Sequence, residues 1–404
     1  MSAVVAGAVR SDVKIVGLVG GAHLLSHFFQ LVIPTLFPLI KAELHTGYAG
    51  MGLAMTMLYL VSGLMQTPAG FAVDRFGGKA VLAAGLGFVG LGLIVVAGAT
   101  SYWVFVLGTM IFGVGNAVFH PADFSILNAR VSPARLGHAF SVHGIGGNLG
   151  WAMAPPFAIA IGSVWGWRTA VLCAGAIGVI AALVIASQRI LAVQADAAAL
   201  RTRQKKTGLR ANIKLLTAAP VLMCFTFFGF TAAGTVALQT FATTALMAVY
   251  GVPLLVASAG LTGFLLGGAA GMLCGGFVAT RTSRHGLATT VGMSGTAVLA
   301  LLLGSGMLTP GSLMVVMTLA GFSFGSIGPA RDIIVREVTP AHARGRVYGF
   351  VYSGMDLGSA LSPPVFGWLI DIGRPNYLFF GAALVLVLSL ATLGEIRRSR
   401  PVAA

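Results

Sequence analysis

Charge is what this chain has least of. Only 9% of its 404 residues are Asp, Glu, Lys or Arg, and just 10 of those are acids. Globular domains carry about 25% charged residues. A soluble core could not hide the 57% of residues that are hydrophobic, so a soluble enzyme and a disordered chain are both excluded. Cysteine is equally scarce. Cys173, Cys224 and Cys274 stand singly in apolar runs, which fits neither a disulfide framework nor a zinc site and predicts three buried small hydrophobes. The 56 glycines follow no Gly-X-Y period, so collagen is excluded as well. No cleavable leader is apparent: Arg10, Ser11, Asp12 and Lys14 precede a stretch too long for a signal peptide.

What is present is continuous apolar sequence, with a mean hydropathy of +0.93. The runs do not alternate polar with apolar, as the strands of a membrane barrel do; they are long enough to span hydrocarbon as helices. The spans fall at 13–40, 47–73, 80–99, 102–129, 137–162, 167–189, 215–250, 254–279, 287–308, 311–337, 345–371 and 376–394. The expected fold is therefore all-α and membrane-embedded, with twelve helices in two halves, 1–189 and 215–404. A basic linker, 190–214, joins them and carries Arg201, Arg203, Lys205, Lys206, Arg210 and Lys214.

Basic residues set the orientation. With a cytoplasmic N-terminus, Arg10, Lys14, Arg75, Lys79, Arg130, Arg135, Arg281, Arg284, Arg336, Arg344, Arg346, Arg397, Arg398, Arg400 and the linker all lie inside. Only Lys41, Arg168 and Arg374 lie outside. The positive-inside rule then places both termini on the cytoplasmic side. It also accounts for the net charge of +15, which is spread over alternate loops rather than gathered on a nucleic-acid-binding face.

The halves repeat. Gly70-Phe71-Ala72-Val73-Asp74-Arg75 is echoed by Gly276-Phe277-Val278-Ala279-Thr280-Arg281. Gly146, Gly150 and Pro155-Pro156 are echoed by Gly354, Gly358 and Pro363-Pro364, and Pro121 by Pro329. Two repeated six-helix halves are a transporter architecture, with the solute site expected near the midplane. The glycine pairs suit close helix packing.

On Gly70, Asp74, Arg75, Gly77 and Lys79 the chain resembles the major facilitator superfamily, whose loop motif between helices two and three has this pattern. Gly78 stands where the motif has a basic residue, and Thr280 replaces the acid in the second copy. The resemblance implies that these five residues form a cytoplasmic gate, with Gly70 permitting close helix approach and Asp74 and Arg75 latching helix ends. Phe119-His120-Pro121 with Gly146-Gly147-Asn148-Leu149-Gly150 further resembles the fosmidomycin-resistance branch of drug/proton antiporters. Two departures are that Gly108–Gly115 lacks an arginine and that Trp151 follows Gly150.

Polar residues at membrane depth mark pathways. His23, His27 and Gln30 share one helical face; Asn116, His120 and Asp123 share another; Thr231, Thr235, Gln239 and Thr243 share a third. The two histidines of helix one suit a solute or proton path or an interhelical hydrogen bond. No Glu or Cys near them in sequence completes a metal site, so no metal and no cofactor is expected. Asp123 has Arg130 or Arg331 as candidate partners. Arg331 and Asp332 are adjacent and expected to point apart, with Asp332 pairing to Arg336 or facing the path. Tyr348, Tyr352 and Asp356 line helix eleven, and Asp356 is a candidate proton carrier. The expectation is a monomeric secondary active transporter, not an enzyme. It has no nucleotide motif and takes a small-molecule solute and protons as partners. The lean is to drug-like efflux, with proton-coupled uptake of a small organic anion as the other reading.

Overall fold

A computed structural model describes residues 3–192, 214–338 and 344–398. The predicted linker 190–214 lies almost wholly outside them. The described residues are helical throughout, apart from short turns. The chain separates into two compact units, one of Met1–His45 with Met57–Lys205 and one of Thr46–Thr56 with Lys206–Ala404.

The helices of the first unit are α1 (Ala3–Thr35), α2 (Phe37–Glu43), most of α3 (Tyr48–Phe76), α4 (Gly78–Ala97), α5 (Tyr102–Asn116), α6 (Phe119–Arg130) and α7 (Leu136–Ser187). The second unit holds the first turns of α3 and α8 (Ala219–Tyr250), α9 (Leu254–Arg281), α10 (His285–Gly304), α11 (Pro310–Gly325), α12 (Gly328–Val338), α13 (Arg344–Asp371) and α14 (Asn376–Arg398). Among the described residues, ten stretches are long and apolar enough to cross a membrane. One of them, Pro133–Ser187, reverses at Gly166, whose φ of 83° is open to glycine and closed to most residues. The two arms of that stretch count there as one, and α13 is long enough to span but more polar.

Three predicted spans differ in detail. Helix one ends at Thr35, and α2 begins anew with Pro38 in its first turn. Predicted helices four and ten each divide, at 117–118 and at 326–327. Pro121 and Pro329 are the reason. A proline has no N–H for the carbonyl four residues back, here Ala117 and Gly325, and its ring crowds that carbonyl. The repeat thus reproduces a break as well as a sequence.

Close backbone approach holds each unit together. A Cβ on Gly150 of α7 would lie 2.0 Å from the Leu24 carbonyl of α1, and one on Gly358 of α13 would lie 2.1 Å from the Gly229 carbonyl of α8. The predicted packing role of this repeated pair is what the structure shows. A longer seam was not anticipated: Gly267, Gly271 and Gly275 of α9 would each bring a Cβ to 2.1 Å from a carbonyl of Thr318, Phe322 or Ser326. Outward faces carry large apolar side chains such as Leu64, Trp103, Leu183 and Leu273, as a lipid-facing surface requires. Cys274 lies on such a face. Only Cys224 is buried, Cys173 is half-buried and all three are free, so the expectation of three buried cysteines fails.

Where α7 reverses, the Trp167 indole and the Arg168 guanidinium both donate to the Glu43 carboxylate, and Arg168 also donates to the carbonyls of Ala97 and Ala99. The Trp167 hydrogen bond, then those of Arg168, hold the Glu43 carboxyl below its usual value.

Two outcomes are expected. Gly150→Val or Gly358→Val should cost about 1–3 kcal/mol in detergent unfolding, whereas Gly70→Ala, which meets nothing within 4 Å, should leave the melting temperature unchanged. Because the Glu43 pKa is lowered on folding, its contribution is full above the unfolded value of about 4.3 and is lost as pH falls through the folded one. A melting-temperature series from pH 6 to pH 3 should therefore fall more steeply for the wild type than for Glu43→Gln.

Candidate functional site

Polar side chains gather inside each unit. In the first, α1 supplies His23, His27 and Gln30; α5 and α6 supply Asn116, His120 and Asp123. The Gln30 amide donates to Asn116 Oδ1 at 2.9 Å, and the Asn116 amide donates to Ser62 Oγ at 2.9 Å. The Trp151 indole donates to Gln30 Oε1 at 3.2 Å, and its ring lies 4.2 Å from that of His27. The departure from the antiporter pattern at Trp151 is thus a polar tether between α7 and α1.

Asp123 is fully buried. Within its unit Arg130 is not its partner: His143 Nε2 lies 3.0 Å from Asp123 Oδ2, and His23 Nδ1 lies 3.3 Å from the same oxygen. The His23 contact is close but not aligned as a hydrogen bond. A buried carboxylate needs such neighbours, and imidazoles from two other helices answer the need before any arginine can reach it. The rings of His23 and His143 stack at 3.5 Å and 20°. His120 is exposed, with its ring 5.3 Å from that of His23. Gly147 leaves the room for this crowding: a Cβ there would sit 3.0 Å from His27 Cε1 and 3.2 Å from His23 Nε2.

Sequence reasoning missed His143. Its signal was available, because His143, Gly147 and Trp151 recur at i, i+4 and i+8 and so share the α7 face turned to α1.

The second unit has a different constellation. Arg331 and Asp332, expected to point apart, are joined: Arg331 Nε donates to Asp332 Oδ1 at 3.1 Å. A long guanidinium stem can fold back on its neighbour, which helical angle alone does not reveal. Tyr352 of α13 donates to the same oxygen at 3.3 Å. The guanidinium lies over the Phe228 ring, 4.5 Å from its centroid, a cation–π arrangement. Gln239 is buried on α8, and Asp356 is half-buried on α13. The side chains of Arg336 and Tyr348 lie outside the described residues.

The motif residues sort by role. Gly77 takes a φ of 83° ahead of α4, and Lys79 Nζ donates to the Ala186 carbonyl at the end of α7. Arg75 rests against Phe76. A Cβ on Gly78 would lie 2.9 Å from Ile126 and 3.2 Å from the Ala122 carbonyl, which leaves no room for the motif's basic side chain. Gly70 makes no close helix approach; instead it lines a cleft of about 810 Å³ with Asp74, Pro121, Phe124 and Asn128. Asp74 lines the same cleft.

His143→Ala would leave Asp123 with His23 alone. The expected loss is about 1–3 kcal/mol of unfolding free energy in detergent, with little loss for Asp74→Asn.

Nearly all of the chain matches one family model, the Major Facilitator Superfamily, over residues 19–261 and 240–403. The fosmidomycin resistance protein of Escherichia coli K12 is 26% identical over 408 residues, covering 96% of both chains. An uncharacterized MFS-type transporter of Bacillus subtilis 168, YfnC, is 27% identical over 275 residues, covering 66% of both. Among solved structures, a bacterial homologue of the human lysosomal transporter Spinster, inward-facing and occupied, aligns at a TM-score of 0.77 with 15% identity, over 96% of this chain and 97% of that one. With its membrane-spanning helices, a repeated half and a family match over residues 19–403, this chain belongs to the Major Facilitator Superfamily, multi-pass membrane transporters of small solutes and not enzymes.

Proposed function

We propose that the protein is a secondary active transporter that exports a small organic compound across the bacterial inner membrane by alternating access, in exchange for protons. Both termini are cytoplasmic in this reading, and one chain suffices. The observation that carries it is the Arg331 network. A guanidinium at membrane depth is costly; here Phe228 supports it and Asp332 and Tyr352 orient it. A planar cation so held suits the anionic group of a solute. Gln239 adds a polar contact on the path in the same unit, and Asp356 carries the proton. In the first unit the path is lined by His23, His27, Gln30, Asn116, His120 and Asp123. Gly70, Asp74, Arg75, Gly77 and Lys79 form the cytoplasmic gate. The likeness to the fosmidomycin resistance protein over nearly the full length of both chains supports export.

Uptake of a small organic anion with protons is the second reading. Shorter similarities to a probable L-galactonate transporter of Escherichia coli K12 (26% identity, 36% of this chain and 32% of that one) and to a probable sulfoacetate transporter of Cupriavidus necator (24%, 42% and 39%) favour it. Liposomes with a trapped pH dye, challenged with phosphonates and small carboxylates, separate the two. Proton movement opposite to the solute supports export, and movement with it supports uptake. Arg331→Ala should lower the solute-driven signal about tenfold or more, and Asp356→Asn should abolish proton movement while solute binding persists. Wild-type signals in both variants would overturn the assignment.

A further inference from the structure

Four of the chain's eight histidines converge in the first unit; the transport reading uses His23, His27 and His120 only as lining and gives His143 no part. One nitrogen from each of His23, His120 and His143 lies within 4.8 Å of the other two. These rings come from three separate helices, α1, α6 and α7. The Asp123 carboxylate stands beside two of them, 3.3 Å from His23 and 3.0 Å from His143. Among the described residues no Lys or Arg pairs with Asp123. Three buried polar atoms of the cluster, His23 Nδ1, His27 Nδ1 and Asp123 Oδ1, have no hydrogen-bond partner among the described residues.

We infer that His23, His120 and His143 form a binding site for a late first-row divalent cation of the zinc class, with Asp123 supplying the negative charge and orienting the rings. Imidazole donors select this class over Mg²⁺ and Ca²⁺, which take oxygen ligands. Three protein nitrogens with a nearby carboxylate are the ligand set of an open site, its fourth position left to water or solute. A carboxylate against the second nitrogen of a coordinating imidazole fixes that ring's tautomer and direction. Donors bound at about 2.0–2.1 Å around a tetrahedron stand about 3.3 Å apart, so nitrogens within 4.8 Å of one another need a contraction of at most about 1.5 Å, within the reach of side-chain rotation. The stack of His23 on His143 must open as this happens, because rings sharing an ion diverge from it. His120 is exposed and gives the ion its way in. The missing Cβ at Gly147 leaves space beside His23 and His27 for the rings to turn. Occupancy ties α1, α6 and α7 to one another.

The test uses the purified full-length protein in detergent, free of any affinity tag. It is titrated with CoCl₂ and read by visible absorption, then with ZnCl₂ as competitor. The expected result is one Co²⁺ per chain, with the intense bands of a tetrahedral site, displaced by Zn²⁺. His120→Ala alters an exposed side chain and should weaken binding by more than about tenfold; His143→Ala should do the same, with folding of each variant checked by size exclusion and circular dichroism. His45→Ala and His285→Ala, outside the cluster, should bind as the wild type does. No tetrahedral spectrum in the wild type, or unchanged affinity in folded His120→Ala, would overturn the site. Either result leaves the transport assay, which needs no added metal, to stand or fall separately.

Discussion

Apolar side chains gain little by leaving lipid for another helix, so helices in a bilayer associate where their backbones come close. That constraint governs this molecule. The Gly150 contact on Leu24 seats α7 against α1, and the Gly358 contact on Gly229 seats α13 against α8 in the same manner. The Gly267–Gly271–Gly275 seam of α9 does likewise against α11 and the turn that follows it. Each of these positions lacks a side chain because a carbonyl of the neighbouring helix occupies its place.

The polar cluster of the first unit depends on this approach. His23 and His27 lie on the α1 face that Gly146, Gly147 and Gly150 bring against α7. Side chains on α7 can then reach across: the Trp151 indole to Gln30, and His143 to Asp123 on α6. A charge at full burial is tolerated there because two imidazoles meet it from two directions. In the second unit the same helical frame carries a different payload. A single arginine is held between an adjacent aspartate, a tyrosine and a phenylalanine ring. Duplication has kept the packing glycines and the proline breaks, while the polar residues at corresponding depths have diverged.

The proline breaks merit the same physical reading. Pro121 and Pro329 each free a carbonyl one turn earlier, and each helix restarts two or three residues later. His120 and Asp123 in one unit, and Arg331 and Asp332 in the other, stand in the first turns after these breaks. Flexed helices at membrane depth are tolerated where protein surrounds them.

Composition and periodicity alone determined the membrane solvent, the all-helical fold, the duplication and the faces on which His23, His27, Gln30, Asn116, His120 and Asp123 stand. These follow from local rules: span length, helical angle and the scarcity of charge. Partner choice did not follow. Nothing local says that Asp123 meets His143 rather than Arg130, that Arg331 folds back onto Asp332, or that Gly70 faces a cleft while Gly150 meets a backbone. Each depends on which helix lies alongside, at what rotation and at what depth. Those are properties of packed neighbours, and only the tertiary structure decides them.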